Sequence, residues 1–138
     1  MINPIDLISE MERNAKNLIK KGRNMEAKKI LENALESIKN EDFLENEYPD
    51  LVIISKKIFS DFLSISEYSL ALEVLININK VTGEKFNLTN ELKNLLKILP
   101  VEFDLSKYDK EIRKLSRNQW EILELLNEIE KMQKRGSD

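Results

Sequence analysis

Apolar residues in this chain recur at spacings of three and four, and nowhere do they alternate for long enough to build a strand. That rhythm limits the fold more than any other feature. A helix brings a side chain back to one face after about 3.6 residues, whereas a strand does so after two. Ala27, Ile30, Leu31, Ala34 and Ile38 form one such set, and Leu88, Leu92, Leu95, Leu96 and Ile98 form another. The spacing predicts an all-α protein. With 138 residues, a single helical domain over 1–134 can bury a core without disulfides or metal.

Three prolines and three glycines divide the pattern into elements. Asn3 before Pro4 reads as an N-cap followed by a proline at the first helical position. Gly22 supplies a turn, and Asn24 is expected to cap the helix after it. Ser64 to Glu67 reads as a capping box for a fourth helix, and Ser116 with Gln119 as another, where the last helical region pauses. About six helices result: hairpins at 4–39 and 49–82, C-terminal helices at 88–99 and 106–134, and a flexible tail at 135–138.

The stretch GRNMEAKKILENAL, Gly22 to Leu35, has a counterpart in SEYSLALEVLININ, Ser66 to Asn79. The alignment sets Ala27 on Ala71, Leu31 on Leu75 and Asn33 on Asn77, with Ile30 on Val74 and Ala34 on Ile78. In the first copy, Gly22, Arg23, Glu26, Ala27, Leu31, Ala34 and Leu35 resemble the second half of a tetratricopeptide repeat. Ala15 stands at the small-residue site of the first helix, and the second copy keeps Tyr68, Ala71 and Leu75. The copies lie 44 residues apart, against about 34 in that family. An insertion at 41–50 accounts for the difference. The resemblance covers residues 8–83 and implies stacked helical hairpins whose first helices line a groove. Small residues suit such stacking, because helices approaching to roughly 8–10 Å need Ala or Gly where they cross.

Chemistry is restricted by what is missing. The chain has no histidine and no cysteine, which removes the commonest general base, the thiolate nucleophile and the usual transition-metal ligands. Dispersed glycines make no phosphate-binding loop. No catalytic residue, metal site or cofactor is therefore expected, and the chain does not read as an enzyme. A net charge of −3 gives no overall basic field for nucleic acid. No apolar run reaches the roughly 18 residues of a membrane span, so a cytoplasmic setting without membrane partners is expected.

Three surfaces are candidates for binding. The acidic segment 41–50 carries Glu41, Asp42, Glu45, Glu47 and Asp50 without a local base, while Phe43 and Leu44 are expected to tuck beneath the hairpins. The repeat resemblance implies that Glu12, Lys16, Lys20, Lys56 and Ser60 face the groove, where the lysines suit an acidic peptide or a carboxylate. On the last helix, Ile122, Leu125, Leu126, Ile129 and Met132 form one apolar stripe. Trp120 and Leu123 lie elsewhere on the wheel, either as a second packed face or as an anchor for another chain. The basic run Lys107, Lys110, Arg113, Lys114 and Arg117, followed by Glu121, Glu124, Glu128 and Glu130, suits antiparallel self-pairing into a homodimer. The expected function is a non-catalytic protein–protein interaction module, an adaptor or assembly factor binding a protein or peptide. The alternative is a regulatory nucleic-acid-binding module using the basic segment 107–117.

Overall fold

The structure, a computed structural model, describes residues 3–136. Among the described residues there are seven α-helices and no strand. They are α1 Pro4–Lys20, α2 Asn24–Asn40, α3 Tyr48–Ser64, α4 Tyr68–Val81, α5 Thr89–Ile98, α6 Asp109–Ser116 and α7 Trp120–Gly136. Short 3-10 helices at Glu45–Glu47 and Leu105–Tyr108 precede α3 and α6. The chain divides between Phe86 and Asn87 into two compact units. Residues 137 and 138, the end of the expected tail, lie outside the described residues, and α7 runs to Gly136.

In the first unit, α1 packs on α2 and α3 on α4, forming two hairpins. The hairpins also meet like to like, α1 against α3 and α2 against α4. The turns inside them share the same closing hydrogen bonds. Gly22 and Ser66 both take left-handed backbone, with φ of 76° and 60°. Arg23 N–H donates to the Leu18 carbonyl at 2.9 Å, and Glu67 N–H donates to the Phe62 carbonyl at 2.9 Å. Each is a Schellman ending, in which one left-handed residue satisfies the carbonyls that the helix leaves open. The 44-residue repeat therefore extends from side-chain pattern to backbone geometry.

Packing follows the small residues. Ala15, Ala27, Ala34 and Ala71 are fully enclosed at 0% exposure, which lets the helices approach closely. α3 touches α1, α2 and α4, and this central position explains its richness in apolar residues. Leu51, Ile58 and Phe62 are buried there, whereas Ile53 is 57% exposed. It sits about 180° around the helix from the buried Phe62. Lys28–Glu67 at 3.1 Å and Lys39–Glu73 at 3.9 Å tie α2 to α4 at the rim.

The helix ends confirm one expected cap and correct three. Asn3 Oδ1 accepts from Ile5 N–H at 2.9 Å, with Pro4 in the first turn. Asn24 is already helical, and the cap position, Arg23, makes no capping bond; its guanidinium donates instead to Glu26 at 2.8 Å. Ser64 is the last residue of α3, and its hydroxyl donates back to the Asp61 carbonyl at 2.6 Å, so it caps nothing on α4. Ser116 likewise donates to the Arg113 carbonyl at 2.6 Å and ends α6. Arg117 and Asn118 then both turn left-handed, so the last helical region pauses at Ser116, as expected, and divides into α6 and α7.

In the second unit, α5, α6 and α7 pack on one another around Leu92, Leu95, Leu96, Ile112, Leu115, Ile122 and Leu126. Two members of the expected stripes face out: Ile98 is 49% exposed and Met132 is 52% exposed. Both lie at the edge of their stripe on the helical wheel. No helix of the described residues is long and apolar enough to cross a membrane.

Candidate functional site

The contact between α1 and α3 brings two acids together. Glu12 and Asp61 are 5% and 7% exposed, although Glu12 was expected to face an open groove. The Asp61 carboxyl is hydrogen-bonded to that of Glu12, and burial with the neighbouring carboxylate pushes its pKa up to about 8. Burial is the larger cause, because a charged carboxylate is poorly solvated there. Lys16 Nζ stands 3.5 Å from Glu12 Oε2 and offsets part of the charge. Glu12 Oε2 and Asp61 Oδ2 have no hydrogen-bond donor among the described residues, which disfavours a charged Asp61 carboxylate there.

The remaining groove candidates are more open. Lys20 and Ser60 are exposed, Lys56 is half-buried, and the Lys16 side chain is 45% exposed. The structure thus joins Lys16 to the acid pair and leaves Lys20 at the end of α1. Sequence reading missed Asp61. Its signal was available, since it stands between Phe59 and Phe62 on the apolar helix of the chain.

The acidic segment finds its base through the fold. Lys85, forty positions on, donates to Glu45. The contact holds the Glu45 carboxylate below the usual range and raises the Lys85 ammonium. Glu47 Oε1 accepts from Leu44 N–H at 2.8 Å. Glu41 and Asp42 are exposed after α2. Phe43 is half-buried, but Leu44, expected beneath the hairpins, is 68% exposed. No group of three or more acidic side chains is placed to hold a metal ion among the described residues.

In the second unit, Trp120 is 71% exposed at the start of α7, next to half-buried Leu123. Ile122 and Leu126, at 1% each, carry the packed face of that helix. Polar contacts fix α7 from both sides. Lys93 on α5 donates to Glu121 at 2.6 Å, which holds that carboxylate below its ordinary range. Arg113 on α6 reaches Asp109 at 3.0 Å and Glu130 at 3.8 Å. Gln133 donates to the Phe103 carbonyl. A groove of about 390 Å³ lies between Leu105, Ser106 and Asp109 on one side and Glu130, Gln133 and Lys134 on the other. Its two carboxylates are those already engaged by Arg113. Of the basic segment 107–117, Lys107, Lys110 and Lys114 are exposed, and Arg113 is tied into the unit.

Comparison of the chain with family models, curated proteins and solved structures finds no match.

Proposed function

We propose that this chain is a non-catalytic protein–protein interaction module, an adaptor or assembly factor. The observation that carries the reading is Trp120, 71% exposed on a helix whose packed face is already complete without it. A solvent-facing tryptophan offers a large rigid apolar contact, the residue type most enriched in binding hot spots. The hairpins add support. Their identical turns at a fixed interval and their like-to-like contacts agree with a tetratricopeptide-like array, a construction that leaves extended surface for partners. The nucleic-acid alternative is less well supported. Helix α7, which follows the α6 turn, begins with exposed Glu121, Glu124 and Glu128, and these repel phosphate.

The test is affinity capture with the full chain and with a Trp120→Ala/Leu123→Ala variant, both checked for helix content by circular dichroism. The reading expects a stoichiometric protein captured by the wild type and lost with the variant while the fold persists. Capture that does not change, or salt-sensitive recovery of RNA or DNA alone, would reject it.

A further inference from the structure

The outer face of α7 has a charge order that no intramolecular contact explains. On a helix turning about 100° per residue, Trp120, Glu124, Lys131 and Arg135 fall within a stripe about 60° wide. All four are exposed, and the buried Ile122 and Leu126 lie on the other side of the helix. Glu124, Lys131 and Arg135 make no ion pair among the described residues, unlike Glu121 and Glu130, which are held by Lys93 and Arg113. The stripe therefore runs aromatic, acidic, basic, basic along about 22 Å of helix.

From this order we infer that the α7 face is self-complementary and that its occupant is the antiparallel α7 of a second copy of this chain. One antiparallel register sets Trp120 against Arg135 and Glu124 against Lys131, and the two-fold axis makes each pair twice. Asn127 then meets Glu128 at the centre. Guanidinium over indole is a favourable cation–π pair, and it covers the most exposed aromatic side chain of the unit. A parallel arrangement is excluded by the same residues, since Glu124 would meet Glu124 and Lys131 would meet Lys131. The pairing differs from the one that the sequence suggests, because the bases come from the end of α7 and not from segment 107–117. A face of this length buries less than a standard interface, so the dimer is weak and concentration-dependent.

This inference rests on the interaction reading and names one partner for its carrying residue. The experiment is sedimentation velocity of the wild type from about 10 μM to about 500 μM, a range that spans weak association. It is repeated on Glu124→Lys, on Lys131→Glu and on their equimolar mixture. Both substitutions are at exposed positions, and circular dichroism verifies the fold of each. The expected result is a wild type that shifts from monomer to dimer, two variants that stay monomeric, and a mixture that dimerises again. The shift is accompanied by a blue shift of the single tryptophan's emission. A wild type that stays monomeric throughout overturns the inference, as does a dimer that survives either reversal or variants whose mixture stays monomeric. Capture of a different protein, still lost on removing Trp120, would leave the interaction reading intact while rejecting self-association.

Discussion

Asp61 on α3 and Glu12 on α1 are buried against each other where the two hairpins meet. The folded protein holds the Asp61 proton up to about 8, whereas an unfolded aspartate releases it near about 3.9. Between those values the folded state binds more protons than the unfolded one, so stability falls as pH rises. The fall is at most about 1.4 kcal/mol per pH unit and ends above the folded value. Urea unfolding from pH 4 to pH 9 measures it. Asp61→Asn keeps the shape and removes the titration, so its profile is flatter and it is the more stable protein at pH 8. An unchanged slope in that variant would show that other groups set the dependence.

The matched turns give a prediction with opposite signs at equivalent positions. Gly22 and Ser66 share left-handed backbone, but only Ser66 carries a Cβ that disfavours it. Ser66→Gly is expected to stabilise by roughly 0.5–1 kcal/mol, and Gly22→Ala to destabilise by about 1 kcal/mol. No atom lies within 4 Å of where a Cβ on Gly22 would stand, so the second effect is purely conformational. Thermal melts of both variants decide the matter.

Enclosed alanines mark where the helices of the first unit approach. Ala27 and Ala71 are each 0% exposed at corresponding places in the two copies. Replacing either with Leu inserts three carbons where no space exists, at a cost of roughly 1–3 kcal/mol. Chemical denaturation should place the two variants within error of each other, because the sites are equivalent. A large difference would mean that the copies pack differently.

Trp120→Ala separates surface from core. At 71% exposure its removal is expected to change stability by less than about 0.5 kcal/mol. Phe62→Ala, at 0% exposure, is expected to lose about 3–5 kcal/mol. Urea midpoints for the two variants check the contrast. The wild-type monomer should also emit as a solvated indole, since this is the only tryptophan in the chain.

Much of the architecture was legible in the sequence. The three-and-four spacing placed the helices, Asn3-Pro4 started the first, and the Ala27/Ala71 alignment located a repeat that the turns then reproduce. These features depend on neighbours within one helical turn, so a linear pattern records them. The capping boxes at Ser64 and Ser116 failed for the same reason. A serine hydroxyl is equally satisfied by a carbonyl of the preceding turn, and both took that partner.

The candidate surfaces depended on contacts that no local pattern contains. Glu12 reads as a groove residue until α3 brings Asp61 against it, and Glu45 reads as uncompensated until Lys85 arrives from forty positions away. Trp120 had two sides of α7 open to it in the sequence, and the packing of α5 and α6 on Ile122 and Leu126 left it outside. By itself, then, the sequence determined that the chain is helical, where its helices turn and that two hairpins repeat. Only the tertiary structure decided which charges are buried, which are paired and which apolar side chain remains exposed. Helical period is a property of adjacent residues, whereas burial is set by whichever distant element covers the face.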